Sequence, residues 1–183
     1  MSLAKKLLPA AFLILSACSP IPLETSYVPV DTSNWKVGYA YDDGFLGKGT
    51  LIELVKNDES VDSWSQLLTI QFMEGVTESV SSYYQKYKTT LTEKAKNNLE
   101  CHTASFNTIE QSKNSIIYEW LTNGCLGKND QHEIAKLMKG NDGLHRVAYV
   151  KKGAEMANQE RNHWIGVFRN SYVEKDLQRV MVK

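Results

Sequence analysis

The chain has 183 residues with 21 basic and 21 acidic side chains, so its formal net charge is zero. The basic residues are dispersed among acidic ones, which excludes the clustered Lys and Arg that a nucleic-acid-binding protein needs to neutralise phosphates. The length fits one domain of ordinary size with its own hydrophobic core.

The first residues have the anatomy of a secretory signal peptide. Lys5 and Lys6 precede an apolar run over residues 7–15, which is too short for a transmembrane helix because crossing a bilayer takes about 20 apolar residues. Removal of residues 1–17 takes away both lysines and leaves 19 basic and 21 acidic residues, a formal charge of −2. The sequence therefore predicts an exported chain that is close to neutral.

The end of the signal peptide carries a short motif. Leu15-Ser16-Ala17-Cys18 places a branched apolar residue and two small residues before a cysteine, and it resembles the lipobox of bacterial lipoproteins. The resemblance covers about the first 18 residues and implies cleavage before Cys18 and lipidation of that cysteine with acyl chains such as palmitate. The alternative is an ordinary secretory signal with a chance cysteine, which still exports the chain.

Lipid on Cys18 would give long residence on a membrane, because each buried methylene contributes about 0.8 kcal/mol and one residue carries several chains. Ser19 follows the cysteine, whereas the inner-membrane retention signal of the lipoprotein family is typically Asp at that position. The resemblance therefore implies a protein of the bacterial cell envelope, lipid-anchored in the outer membrane and facing the periplasm.

Residues 18–34 are interpreted as the lipidated cysteine and an extended tether. They hold three of the chain's four prolines, Pro20, Pro22 and Pro29, and show neither helical nor alternating periodicity. Proline fixes φ and removes a hydrogen-bond donor, so such a segment favours extended, semi-rigid chain. Residues 35–183 contain no proline and predict a single domain.

Within this domain, alternation and turn residues predict seven strands, and helical periodicity predicts two helices. The predicted helices cover residues 77–100 and 154–172, each with one apolar face. Turn residues at 112–114 and 140–143 predict two β-hairpins. The predicted strands cover residues 35–41, 50–56, 67–73, 101–109, 115–122, 132–138 and 145–151.

Aromatic residues mark the first strand and the first helix. The strand alternates with one predicted face formed by Trp35, Val37, Tyr39 and Tyr41. The helix carries tyrosines at helical spacing, which predicts core packing, with ligand stacking as the alternative. In the second helix, Arg161 lies on the apolar stripe, where it either pairs with an acid or lays its methylene stem across the surface.

These elements predict an α+β fold in which an antiparallel sheet packs against two main helices as a sandwich. The element order over roughly residues 35–172 resembles the Mog1 and PsbP type of sandwich, which occurs in small exported lipoproteins. The resemblance rests on element order alone, and it implies a scaffold used mostly for binding and assembly. A fold by itself does not assign a function.

Two cysteines remain in the predicted domain, Cys101 and Cys125. Export places them in an oxidising compartment, where paired thiols persist as disulfides, and on the predicted map the bond would join the open ends of a hairpin. The alternative is a metal site with Cys101, His102 and Cys125, but it lacks the ligand spacing of zinc sites. The sequence therefore predicts a disulfide, no metal and no cofactor.

Catalytic motifs are absent from the sequence, and no catalytic residue is assigned. His145 and Arg146 lie in a predicted hairpin strand, where His145 could act as a base beside a carboxylate and Arg146 could bind an anion. The simpler interpretation makes both polar residues structural. Trp64 and Trp120 are the candidate aromatic contacts for a ligand or partner.

Two functions from different classes follow. The first is an envelope lipoprotein with a non-catalytic binding or assembly role, held on the membrane through Cys18 and bound to an envelope protein partner, as an accessory component of an outer-membrane complex. The second is a membrane-tethered hydrolase acting on envelope material. The hydrolase requires His145 within hydrogen-bond reach of an acid and a nucleophile in one cleft.

Overall fold

The computed structural model describes residues 24–42, 49–97, 103–124, 130–153 and 155–175, which contain nine strands and two helices. No helix in these ranges is long and apolar enough to cross a membrane. The elements are β1 (Glu24–Tyr27), β2 (Trp35–Asp42), β3 (Thr50–Lys56), β4 (Gln66–Glu74), α1 (Val80–Asn97), β5 (Thr103–Gln111), β6 (Ser115–Asn123), β7 (Gln131–Lys139), β8 (Gly143–Lys152), α2 (Asn158–Arg169) and β9 (Tyr172–Lys175).

Seven strands form one antiparallel sheet in the order β2-β3-β4-β8-β7-β6-β5. They correspond to the seven predicted strands, and the β5–β6 and β7–β8 pairs confirm the two predicted hairpins. The sheet and the two helices confirm the α+β class. Strands β1 and β9, which the sequence did not predict, pair as a separate antiparallel ribbon.

The sheet buries side chains on both faces, because successive residues of a strand point to opposite sides. On β8, Val147 and Tyr149 belong to one core cluster, which also contains the apolar side of α2. Leu144 and Ala148 belong to a second cluster, which also contains the apolar side of α1. The two helices therefore pack on opposite faces of the sheet.

Helix α2 is fixed by an aromatic stack. The rings of Trp164 and Tyr149 lie 4.0 Å apart between centroids with an interplanar angle of 13°, and the Tyr149 hydroxyl donates to Glu160 at 2.6 Å. Four side chains of the helix are buried, namely Trp164, Ile165, Val167 and Phe168. The helix ends at Arg169, three residues before the predicted end, because the chain turns there into β9.

Helix α1 begins at Val80, three residues after the predicted start at residue 77. The side chain of Ser79 accepts the N–H of Ser82 at 3.1 Å and so caps the first turn. The prediction that the tyrosines of this helix pack in the core is confirmed for Tyr84, which is 1% exposed. Its ring lies 5.1 Å from that of Tyr118, and its hydroxyl is 3.1 Å from the Thr108 hydroxyl.

The segment predicted as a tether overlaps the folded unit. Residues 24–27 form β1, and Val28 and Val30 pack against the core cluster that contains α2. The ribbon can form because β9 emerges beside them at the other end of the chain, which periodicity within residues 18–34 could not reveal. The domain therefore begins before residue 35.

Candidate functional site

Two of the predicted site residues are neighbours on β8 and point to opposite faces of the sheet. His145 faces the β1–β9 ribbon, and Arg146 faces the side that carries α1. Trp64 lies between β3 and β4, and Trp120 lies on β6. The predicted lipidation at Cys18 and the predicted disulfide between Cys101 and Cys125 lie outside the described residues.

The imidazole of His145 has no solvent-exposed surface. Its Nδ1 is 3.0 Å from the Ser26 hydroxyl, and its Nε2 is 3.5 Å from Oε2 of Glu24. The ring stacks on Phe72 with 4.6 Å between centroids. An acid and a hydroxyl therefore meet the histidine beneath the ribbon, although 119 residues separate Ser26 from His145.

Glu24 is 4% exposed and binds the turn between β7 and β8. Its carboxylate accepts the main-chain N–H groups of Asn141 at 2.8 Å and Asp142 at 3.1 Å. Burial raises the pKa of Glu24, but these two N–H groups and His145 outweigh it, so the net pKa lies below its ordinary value. The carboxylate is therefore held in its charged form.

Burial lowers the pKa of His145, and the nearby carboxylates of Glu24 and Asp142 offset this only in part. The neutral imidazole is the favoured form inside the domain. A general base must contact its substrate, and the imidazole of His145 is buried away from any substrate in solution. Ser26 also lines a cavity of about 270 Å³ between the ribbon and the sheet, whose other side chains are mainly aliphatic.

On the opposite face, Arg146 pairs with an acid. Its Nη2 donates to Glu133 at 2.6 Å and its Nε donates to the Tyr118 hydroxyl at 3.3 Å. Burial raises the pKa of Tyr87 to about 12, and the Arg146 guanidinium lies 5.7 Å from that ring. The arginine charge is thus largely balanced from within the domain, which weighs against the anion-binding hypothesis.

A shallow cavity of about 300 Å³ opens beside Arg146 on this face. Its lining mixes polar, aromatic and aliphatic side chains, and it includes Leu51, Glu53, Trp64, Thr69, Gln71 and Arg146. We call this surface the open sheet face. Lys152 places its ammonium 4.0 Å from the centroid of the Trp64 ring, so one side of the indole is covered by a cation.

Trp120 is not part of the open sheet face. Its ring stacks on Phe106 with 6.0 Å between centroids, and both pack against the cluster under α1. The indole Nε1 is buried without a hydrogen-bond partner among the described residues. The structure therefore brings Trp64 and Arg146 to one surface and leaves Trp120 and His145 elsewhere.

Strand β2 shows the clearest departure from the predicted pattern. Val37 pairs with Leu54, and Tyr39 pairs with Glu53, so a bulge at Gly38 moves the following residues to the other face. Trp35 and Val37 do not share a face with Tyr39 and Tyr41, contrary to the prediction. A Cβ on Gly38 would come within 2.8 Å of a methyl of Val61, which explains a glycine at the bulge.

The bulge leaves three large side chains at the edge of the sheet. Val37 is 55% exposed, Tyr39 is 46% exposed and Tyr41 is 42% exposed. Tyr39 and Tyr41 pair with Glu53 and Leu51 and so extend the open sheet face to its edge. Sequence reasoning missed this surface because it assigned all the alternating residues to one face of the strand.

Sequence reasoning also missed Glu24 and Ser26, which carry no motif in a proline-bearing segment. Among the described residues, no group of three or more His, Cys, Asp or Glu is arranged to hold a metal ion. No family model and no curated protein matches the chain.

Proposed function

We propose that this chain is a membrane-anchored lipoprotein of the bacterial envelope whose domain binds a protein partner through β2 and the open sheet face. The observation that carries the proposal is the exposure of Val37, Tyr39 and Tyr41 on an edge strand. Tyr39 and Tyr41 lie together on the open sheet face, with Val37 on the other face of the same strand. Exposed aromatic side chains grouped at one surface are typical of protein interaction sites.

An edge strand supports the same role through its main chain. β2 has β3 on one side and no other described strand on its outer side. A partner strand can add to such an edge by main-chain hydrogen bonds, while pockets for its side chains give specificity. Glu53, which pairs with Tyr39, and Gln71 on β4 supply polar groups for a rim around the aromatic centre.

The membrane anchor rests on the lipobox resemblance at Cys18 and on the signal peptide before it. The outer membrane, facing the periplasm, remains the proposed location. The packing of α1 and α2 on opposite faces supports a sandwich of the Mog1 and PsbP type, and a scaffold of that kind suits binding and assembly. An accessory role in an outer-membrane complex follows as part of the proposal.

Site-specific photo-crosslinking in intact envelopes tests the binding role. A photoreactive amino acid replaces Tyr39, and a matched probe replaces Lys113, an exposed residue of the β5–β6 turn at the opposite edge of the sheet. We expect Tyr39 to give one discrete heteromeric product that the Lys113 probe does not give. Recovery of only the monomer from both positions would contradict the proposal.

The double variant Tyr39→Ser/Tyr41→Ser provides a second test of the binding role. It should lose the partner in co-purification while its thermal unfolding stays close to that of the parent, because both rings are already exposed. The matched control is Tyr172→Ser on β9, whose ring is 49% exposed on another surface. Equal loss of the partner in the control would show that β2 is not the contact site.

The second candidate, a membrane-tethered hydrolase, is favoured by one observation. Ser26 and Glu24 flank His145 at 3.0 Å and 3.5 Å, as a serine nucleophile, a base and an acid would. A fluorophosphonate probe distinguishes the two functions, since it labels only an activated serine. Labelling of Ser26, lost in Ser26→Ala, would establish the hydrolase. An unlabelled Ser26 in the folded chain would remove it.

A further inference from the structure

The inner side of β1 is attached to β8 and to its preceding turn by two polar side chains. Glu24 binds the N–H groups of Asn141 and Asp142, and Ser26 lies 3.0 Å from Nδ1 of His145. These contacts join the start of the described chain to a hairpin more than a hundred residues away. They hold β1 independently of its pairing with β9.

Side chains of neighbouring strands enclose the imidazole of His145 and keep water away from its protonated form. β4 contributes Phe72, which stacks on the ring, and β7 contributes Met138, which is its strand-pair neighbour. The charged groups that face the imidazole are Glu24 from β1 and Asp142 from the turn. No hydrogen-bond partner for Nε2 is present among the described residues.

We propose that Glu24, Ser26 and His145 form a proton-operated latch, which holds β1 on the sheet at neutral pH and releases it on acidification. In the closed state, neutral His145 contacts the Ser26 hydroxyl and charged Glu24 binds the turn. In the open state, water reaches both side chains. The latch goes beyond the proposed binding function, which concerns the other face of the sheet.

The direction of the response follows from the two titrating groups. The pKa of His145 is lowered by burial from its ordinary value of 6.5, so below that pH the open state binds a proton that the closed state resists. The pKa of Glu24 is also below its ordinary value, 4.5, because its N–H partners outweigh the effect of burial. Acidification therefore favours opening through both groups.

The rest of the ribbon has an attachment of its own. The main-chain oxygen of Ser171, next to β9, accepts a hydrogen bond from Lys136 Nζ at 2.6 Å, and Ser171 is 2% exposed. β9 also follows directly after α2, which is fixed in the core. The element that can leave is thus β1, while β9 remains in place.

Release of β1 would change how far the domain can stand from a membrane, a consequence that rests on the predicted lipid at Cys18. With β1 closed, residues 19–23 link the lipid to the domain, and five residues span at most roughly 17 Å. With β1 open, residues 19–27 form the link, and nine residues span at most roughly 31 Å. The latch would couple envelope pH to the reach of the binding surface.

Hydrogen exchange of the full chain, followed by mass spectrometry at pH 7.5 and 5.5 and corrected for intrinsic rates, tests the latch. We expect the protection of residues 24–27 to fall by roughly fivefold or more at pH 5.5, while the β6–β7 region stays protected. Unchanged protection of β1, or equal loss across the sheet, would overturn the proposal. The readout concerns the domain, so it does not depend on the lipid or on a partner.

Variants separate titration from simple destabilisation. His145→Gln should make β1 protection independent of pH between 7.5 and 5.5, and the matched control His163→Gln, at an exposed position of α2, should keep the parental response. If His145→Gln does not fold, Glu24→Gln replaces it in the test. We expect the β1 protection of that variant at pH 7.5 to be weaker than that of the parent. A full parental pH response in His145→Gln, or parental β1 protection at pH 7.5 in Glu24→Gln, would overturn the latch.

Discussion

Arg161 of α2 donates two hydrogen bonds to the carboxylate of Glu119 on β6, from Nε at 2.6 Å and from Nη2 at 2.8 Å. The sequence left open whether this arginine pairs with an acid or lies along the apolar stripe. The paired arrangement is bidentate and partly buried, with side-chain exposures of 27% and 15%. It therefore joins a helix to the sheet through a charge-assisted contact.

Arg161→Met should lower the free energy of unfolding by about 1.5–3 kcal/mol, because it leaves Glu119 partly buried without its main partner. The matched control lies in the same helix. Arg169 pairs with Glu110 at 56% and 43% exposure, so Arg169→Met should cost less than about 1 kcal/mol. Urea unfolding of both variants measures the difference, and equal losses would contradict the assigned role of Arg161.

The same pair predicts how stability responds to acid. Burial raises the pKa of Glu119, but Arg161 and Asn107 outweigh burial and bring the pKa to about 2. A lowered pKa contributes stability that is present above the ordinary value of 4.5 and is lost as pH falls toward 2. The stability gap between the parent and Glu119→Gln should therefore shrink from pH 5 to pH 2.5 in urea titrations. A constant gap would contradict a lowered pKa of Glu119 in the folded protein.

Two glycines should respond oppositely to alanine. A Cβ on Gly143 would lie 2.2 Å from the carbonyl oxygen of Met73 on the neighbouring strand, so Gly143→Ala should cost about 1–3 kcal/mol by forcing the strands apart. A Cβ on Gly166, inside α2, meets nothing within 4 Å. Gly166→Ala should therefore raise stability by about 0.5–1 kcal/mol. Thermal unfolding of the two variants compares the signs directly.

The disulfide between Cys101 and Cys125 stays a prediction. Thr103 pairs with Asn123 at the described end of the β5–β6 hairpin, and each cysteine is two residues beyond that pair in the sequence. Peptide mapping without reduction should recover the two cysteines in one linked species. The double variant Cys101→Ser/Cys125→Ser should be less stable by about 3.5 kcal/mol. Two free thiols in protein taken from the envelope would refute the bond.

Cys18→Ser should move the protein from the membrane fraction to the soluble fraction of the envelope, because the acyl chains supply the membrane affinity. Mass spectrometry of the mature N-terminus provides the direct measurement, with an acylated Cys18 as the expected species. An unmodified cysteine, or cleavage at another residue, would contradict the lipobox interpretation.

Much of the sheet was predictable because strands and hairpins depend on local patterns. Residues 50–56 were predicted with their observed bounds, and the turns before Ser115 and Gly143 set both hairpins. The candidate contact surface was predictable only in part. Trp64 was predicted as a contact. Tyr39 and Tyr41 were wrongly predicted to share a face with Trp35 and Val37, since a one-residue bulge reverses the side of every residue after it.

The sequence by itself determined the seven sheet strands, the two helices and the α+β class, because each depends on spacing among near neighbours. Only the tertiary structure decided that β1 docks with β9, that Glu24 and Ser26 meet His145, and that Arg161 meets Glu119. Those contacts join residues far apart in the chain. Which residues meet depends on how the helices and the sheet pack together, and local sequence periodicity does not specify that packing.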